Sequence, residues 1–483
     1  MKKTLFLFVA LIFATTFINA QGFEVVENTP PMNVSRHGHA AVSLPNGKVL
    51  VVGGHTQGFL LTSTAEIYNP LTNSWTLYTI DNPHDGASIV KLSNGKFMFF
   101  GGYSSGYGVG QSTVTTIFDP ATNAFSTGPQ MNVARGNSTA VLLKDNRVMI
   151  VGNWYNTGNA EIFDPSTNIF TSIGIPVNQR SNPLVFPTND GGAVIIGGSG
   201  NYGTPNFTDI VYYNPVSMDF TTLSTEIIEG ESGWITSWSS TSGDPSEMKL
   251  SDGSFIFMVY RNLSIGNYEY KLVKFDPETK KVTKINSTPE LPTYTGTSPN
   301  NWGFTLSMIK NPLNGLIYIL GLKFVAAPYP HRIYTYNSVT GVLNIPEGEL
   351  NFDYYLYTSA KAWSNNQIMC TGGTIDGSNF EISNAAKLLK PQLFLGTTEI
   401  EKNSTDVQVY PNPVSSNSFQ IKVFKGALHL LEIIDMNGNL VKSLPLNPNS
   451  KIHKIERGNI SSGLYILKMS GEQSSIIKKI IFK

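Results

Sequence analysis

Asn46-Gly47-Lys48-Val49-Leu50-Val51-Val52-Gly53-Gly54 is the stretch on which the architecture turns. A turn dipeptide leads into apolar, mostly β-branched residues and halts at a glycine pair, which reads as a buried strand between two reversals of the chain. The same pattern returns as Asn94-Gly95-Lys96-Phe97-Met98-Phe99-Phe100-Gly101-Gly102, and again at 146–152, 192–198, 252–258, 314–321 and 366–373, the fifth copy without its glycines. A second marker trails the first: Tyr68-Asn69-Pro70-Leu71-Thr72-Asn73-Ser74-Trp75, Phe118-Asp119-Pro120-Ala121-Thr122-Asn123-Ala124-Phe125 and Phe163-Asp164-Pro165-Ser166-Thr167-Asn168-Ile169-Phe170, with Tyr213-Asn214-Pro215, Phe275-Asp276-Pro277 and Tyr336-Asn337-Ser338 opening the later copies. Proline fixes φ and the short polar side chain bonds nearby backbone, so each marker predicts an aromatic strand end, a tight turn and a further strand.

Each copy then holds four short antiparallel strands. A period of about 50 residues with a glycine pair after the second strand resembles the kelch repeat, whose units are propeller blades. The resemblance implies an all-β, seven-bladed kelch-type β-propeller of the galactose oxidase-like kind. The seventh copy stops after Ala385-Ala386-Lys387-Leu388-Leu389, at its third strand, while Gly22-Phe23-Glu24-Val25-Val26 stands where an outer strand precedes the first copy. The N-terminal segment is therefore expected to complete the last blade and remove an unpaired edge.

Composition narrows the function classes. Only 14% of the 483 residues are charged, and 34 basic side chains balance 34 acidic ones. Zero net charge leaves no global source for counterion release, which argues against a nucleic-acid partner. Lys2 and Lys3 precede an apolar run from Leu5 to Ile18 that ends in Ile18-Asn19-Ala20. This is the form of a secretory signal peptide over 1–20, cut after Ala20, and too short to span a bilayer. No transmembrane segment is expected further on. The single Cys370 cannot form an internal disulfide, so stability must come from packing.

The repeats end at Pro391. A polar connector over 392–406 leads to Val409-Tyr410-Pro411-Asn412-Pro413, and Leu431 to Val441 reads as a hairpin around Asn437-Gly438. Ile460 to Met469 and Ile476 to Lys483 read as the last strands of a small Ig-like β-sandwich. Tyr-Pro-Asn-Pro near the start, Asp435-Met436-Asn437-Gly438 in the middle, Gly463-Leu464-Tyr465 near the end and a basic finish resemble the type A C-terminal sorting domain of the type IX secretion system. The resemblance implies a bacterial protein that engages that machinery through 407–483 and is delivered outside the outer membrane, either secreted or held at its extracellular face. The division expected is thus a signal peptide at 1–20, a propeller at 21–391, a linker at 392–406 and a sorting domain at 407–483.

Because strand direction alternates, the loop after each second strand and the connector into each first strand emerge on one face. Counting back from the first glycine of each copy, or its equivalent, gives Arg36, His84, Arg135, Arg180, Gly243, Phe304 and Tyr355 at the mouth of the central channel. The second-to-third-strand loops add His55, Tyr103, Tyr107, Trp154, Tyr155, Tyr202, Tyr329 and His331. Rings, guanidinium groups and amides suit a glycan or an acidic sugar, and an extracellular protein is the other class of partner considered. Arg36, His84, Arg135, Arg180, Trp154, Tyr155 and Tyr355 form the expected ligand-binding set. The alternative for the arginines is structural: kelch repeats often place Arg and His here to tie blades together through backbone carbonyls, and most side-chain hydrogen bonds go to backbone or water. Exposed Trp154 and Trp234 are the further aromatic candidates.

No catalytic residues, metal ligands or cofactor are assigned from the sequence, because no zinc motif, phosphate loop or nucleophile elbow in supporting context is present. Two enzymatic alternatives remain on the same scaffold. A sugar mutarotase would need an acid/base pair such as His84 with Arg36 or Glu231. A galactose oxidase-like copper site would need two Tyr, two His and a Cys-Tyr crosslink, whereas Cys370 lies within an apolar strand.

Overall fold

The computed structural model describes residues 23–483 apart from 107–108, 155–157, 177–179, 201–205, 237–247, 265–266, 288, 292–293, 296–306, 312–314, 323–331, 345–359, 365–366, 375–380, 392–406, 436–439 and 471–474. The signal-peptide reading therefore lies outside the described residues, as do Tyr155, Tyr355, Gly243 and Phe304. Two compact units divide the chain between Pro391 and Gln392.

The larger unit is built from blades of four antiparallel strands, here called a to d in chain order. Blade 1 comprises Ala40–Ser43, Val49–Val52, Thr64–Asn69 and Ser74–Thr79. Blades 2, 3 and 4 repeat it, starting at Ser88–Lys91, Thr139–Leu142 and Leu184–Pro187. Blade 5 has the long hairpin Phe255–Ser264 and Asn267–Asp276 between Ile235–Thr236 and Lys281–Lys284. Blade 6 runs from Ser307–Lys310 to Leu343–Asn344. Blade 7 takes a, b and c from Ala360–Ser364, Gln367–Thr371 and Ala386–Pro391. Its fourth strand is Phe23–Asn28, paired antiparallel with Phe23 opposite Pro391 and Val25 opposite Leu389. The first strands of blades 7 and 1, 2 and 3, 3 and 4, and 6 and 7 touch one another, so strand a lies innermost.

Strand b explains why the repeat reads as continuous apolar residues. Leu50 and Val52 pack with Phe97, Phe99 and Phe118 of blade 2, while Val49 and Val51 pack with Met369 and Leu388 of blade 7. Both faces of a blade are covered, so strand b of blades 1 to 4 is apolar throughout. The core is consequently a set of seams between neighbouring blades, the last of which joins blade 7 to blade 1 and closes the ring.

The polar marker is a c–d turn. Asn69, Asp119, Asp164, Asn214, Asp276 and Asn337 each accept a hydrogen bond on their Oδ1 from the backbone N–H two residues on, at 2.8 to 3.0 Å. Four residues after each of these the backbone is left-handed: Asn73, Asn123 and Asn168 with φ between 49° and 58°, Gly341 at 72°, and Met218 and Lys280 at 56° and 58°. Asn tolerates that region, which is why Thr-Asn recurs there.

The smaller unit holds a three-stranded sheet, Val407–Tyr410, Ser418–Val423 and Ile452–Glu456. Against it lies a four-stranded sheet in the order Leu440–Pro445, Leu430–Asp435, Gly463–Ser470, Ser475–Phe482. Phe419, Ile421, Leu431, Ile433, Leu467 and Phe482 fill the space between them. The Tyr-Pro-Asn-Pro motif acts as a clasp on the final strand: Asn412 Nδ2 donates to Lys479 O at 2.7 Å, and Asn412 Oδ1 accepts from Ile481 N at 2.9 Å. Tyr465 of the Gly-x-Tyr motif meets the Phe482 ring edge-on at 5.4 Å.

Candidate functional site

The residues counted back from the glycines do share one geometry. Arg36 Nη1 donates to Gly53 O at 2.8 Å, Arg135 Nη1 to Gly152 O at 3.1 Å and Arg180 Nη1 to Gly197 O at 2.8 Å. His84 Nδ1 stands 2.9 Å from Gly101 O. Each also meets a partner on or beside strand c of its own blade. Arg36 Nη2 reaches Glu66 Oε1 at 2.8 Å, Arg135 Nη2 reaches Glu161 Oε1 at 3.2 Å, and Arg180 spans both oxygens of Asp209 at 2.6 and 2.9 Å. Blade 2 replaces the ion pair by a neutral one, with His84 Nε2 at 2.7 Å from Thr116 Oγ1.

The backbone of the same residues grips the preceding blade. Gly373 N donates to Arg36 O at 3.0 Å, Gly102 N to Arg135 O at 2.7 Å and Asn153 N to Arg180 O at 2.9 Å. A Cβ on Gly372 would stand 2.3 Å from Arg36 O, one on Gly53 2.5 Å from His84 O, and one on Gly101 2.3 Å from Arg135 O. This is the physical reason for the glycine pair: the connector of the next blade lies against it with no room for a side chain. Glu66 and Glu161 complete the staple by accepting from the backbone N–H of Asn33 and Val34, and of Asn132 and Val133, at 2.7 to 3.0 Å.

These contacts correct the ligand assignment. Arg36, His84, Arg135 and Arg180 are between 0% and 1% exposed, and their terminal nitrogens bond to carbonyls and to groups on or beside strand c, so they fasten the ring instead of facing a ligand. Burial lowers the Arg36 and Arg135 pKa, a shift that Glu66 and Glu161 oppose. It also pushes His84 down to about 4, the hydrogen bond to Gly101 opposing it, so the ring is neutral at pH 7. Trp234 is corrected likewise: it is fully buried, donates from Nε1 to Glu231 at 2.9 Å and lies 4.6 Å below the Arg261 guanidinium. Glu231 also pairs with Lys284. The strand c partners were missed from sequence, although the recurrence of Glu66-Ile67-Tyr68 as Glu161-Ile162-Phe163 is a readable signal.

Among the described residues, the b–c loops of blades 1 to 3 form one exposed band on this face. In blade 1, His55–Thr56 and Leu60–Leu61 form a small hairpin, whose tip presents Phe59 at 50% and Leu60 at 67% exposure. It touches the blade 2 hairpin of Tyr103–Gly106 and Val109–Gln111, which exposes Ser104, Ser105 and Val109. Gln111 Nε2 donates to Asn153 Oδ1, and half-buried Trp154 follows, its N–H bonded to Gly136 O at 3.0 Å. Phe59 has a φ of 61°, a left-handed conformation that costs a bulky residue about 1–2 kcal/mol.

Beneath Phe59 sits a titratable cluster. The Phe59 ring is 5.5 Å from His55, whose ring is 5.1 Å from His37, and His55 Nδ1 is 3.1 Å from Asp85 Oδ1. Burial, with His55 adding to it, pushes His37 down to about 4, while burial raises Asp85 against the opposing pull of His55. A Cβ on Gly38 would stand 2.2 Å from Asp85 Oδ1, so this carboxylate needs the glycine as the guanidinium staples need theirs.

The comparisons with known proteins follow this geometry. The kelch motif model matches residues 35–79, which run from the blade 1 staple through its last strand. A model described as secretion system C-terminal sorting domain matches residues 408–483. Such a domain directs type IX secretion to the cell surface or the extracellular space and implies contact with the secretion machinery. Among solved structures, the chain is similar to a fungal alcohol oxidase of the AA5 family determined in complex with copper, at 13% identity and a TM-score of 0.56, over 96% of this chain and 100% of that one. At that identity the likeness carries the fold alone. No curated protein sequence matches the chain. Among the described residues no three His, Cys, Asp or Glu side chains are grouped to hold a metal ion, and Cys370 is buried inside blade 7. Likewise, no helix among the described residues is long and apolar enough to cross a membrane. With the staples of blade 1 falling inside one matched model and the clasped sandwich inside the other, the chain is a kelch β-propeller protein that ends in a type IX sorting domain.

Proposed function

We propose that the protein is an extracellular binding module that holds a glycan on the b–c loop face of blades 1 to 3. Residues 1–20 serve as its export signal, 21–391 as the propeller, 392–406 as a connector and 407–483 as the sorting domain. The observation that carries the reading is Phe59, a half-exposed ring held in a left-handed conformation at the tip of a hairpin. A sugar ring stacks on an aromatic face through its axial C–H groups while its hydroxyls bond to neighbouring amides and hydroxyls. Exposed Gln57, Ser104 and Ser105 supply such groups beside Phe59. The test is a glycan array probed with the protein and with Phe59→Ala. Binding that falls about tenfold or more in the variant, at an unchanged melting temperature, supports the site. Equal binding by both removes it.

A further inference from the structure

The charge distribution of the propeller goes further and names the chemical class of the glycan, resting on the glycan reading above. Over 53–63, 101–114, 152–160 and 197–209, the b–c loops of blades 1 to 4, the one Asp, Glu, Lys or Arg in the sequence is Asp209, which is buried and paired with Arg180. The d–a connectors on the same face, 29–39, 80–87, 128–138 and 173–183, hold Arg36, Asp81, Asp85, Arg135 and Arg180. Four of these five are at 0% or 1% exposure, and Asp81 alone is open. The arginines are neutralised in place by Glu66, Glu161 and Asp209.

The opposite face, formed by the a–b and c–d turns, is the contrary case. It carries exposed or half-exposed ion pairs such as Lys96–Asp119, Arg147–Asp145 and Lys280–Asp190. On blades 1 to 4 the exposed ion pairs therefore lie on that face, and the b–c loops carry Gly, Ser, Thr, Asn and Gln with Phe59 and Trp154 among them; on blade 5 the b–c hairpin itself bears the Arg261–Glu269 pair.

We infer that the b–c loops of blades 1 to 4, free of exposed charge, recognise a neutral polysaccharide and discriminate against uronic-acid and sulfated glycans. An acidic glycan would need unpaired cations, and the three guanidinium groups nearest the channel are buried and already matched to carboxylates. A protein partner is less well served: on these b–c loops the exposed large apolar side chains among the described residues are Phe59, Leu60 and Val109, a small patch beside the roughly 800 Å² that a stable protein interface covers on each partner. Neutral sugars need only a ring to stack on and amides or hydroxyls to bond, with no steering field.

Affinity electrophoresis and calorimetry against two neutral polysaccharides, a β-glucan and a galactomannan, and two acidic ones, polygalacturonate and chondroitin sulfate, at 50 and 500 mM NaCl test this. The expected result is retention by a neutral polymer, with a Kd that shifts less than about twofold between the two salts, because no exposed charge is there to be screened. Arg135→Lys is expected to leave that Kd unchanged, and Phe59→Ala to weaken it about tenfold. Retention by the acidic polymers alone, lost at high salt, overturns the inference and leaves the glycan reading standing. No retention by any of the four overturns both.

Discussion

His84 holds the position that arginine holds in blades 1, 3 and 4, and its surroundings are built for an uncharged ring. Its Nδ1–H donates to Gly101 O and, in the neutral ring, its Nε2 accepts from the Thr116 hydroxyl; it is 1% exposed and has no carboxylate partner among its hydrogen bonds. Its folded pKa of about 4 lies below the ordinary value of 6.5, so between these two pH values the unfolded chain binds a proton that the folded chain does not. Stability is therefore fully present above pH 6.5 and falls on acidification, by about 1.4 kcal/mol per pH unit for this residue. Urea unfolding at pH 7 and pH 4.5 checks it. The protein should lose more stability over that interval than His84→Gln, which keeps a donor and an acceptor but does not titrate. Equal losses would remove the assignment. Phe59, at the same scale, shows the opposite economy: a residue strained and exposed where nothing in the blade requires it.

At the scale of the element, each blade is a fixed frame in which the connector residue and its strand c partner vary together. Arginine is matched by Glu66, Glu161 or Asp209, and histidine by Thr116. His84→Arg alone should place an unmatched guanidinium in the blade and cost about 3–5 kcal/mol, the usual penalty for an uncompensated buried charge. Adding Thr116→Glu should recover most of that loss. A double-mutant cycle by denaturant unfolding reads the coupling directly. Additive effects of the two substitutions would mean that the match is incidental. The turns were legible without coordinates because their chemistry is local: Asn or Asp bonding two residues ahead, and Asn in the left-handed position, need no tertiary partner. The arginines were legible in position but not in role, since the same spacing suits a channel mouth or a staple, and only the carbonyl at 2.8 Å separates them.

For the whole molecule, closure is the event on which the seams depend. Blade 7 lacks a fourth strand until Phe23–Asn28 supplies it, and Thr29 Oγ1 then donates to Ala386 O at 2.6 Å as the chain leaves the edge. Removing residues 23–28 from the otherwise full chain should expose the edge of Ala386–Pro391, lower the melting temperature and produce light scattering that rises with concentration. An unchanged melting temperature would show that the ring holds without its clasp. The sequence by itself determined the repeat, the blade count, the closing segment and the export module, because hydrophobic period, turn chemistry and glycine placement are properties of neighbouring residues. Only the tertiary structure decided which charges are buried and matched and which stand at the surface. Burial depends on what distant segments bring to the same point: Arg36 meets Glu66 thirty residues away, and the Ser383 carbonyl arrives from the far end of the chain to accept from Arg36 N–H at 3.1 Å. Such meetings have no local signature, so the same arginines that invite an acidic ligand on paper are spent, in space, on holding the propeller shut.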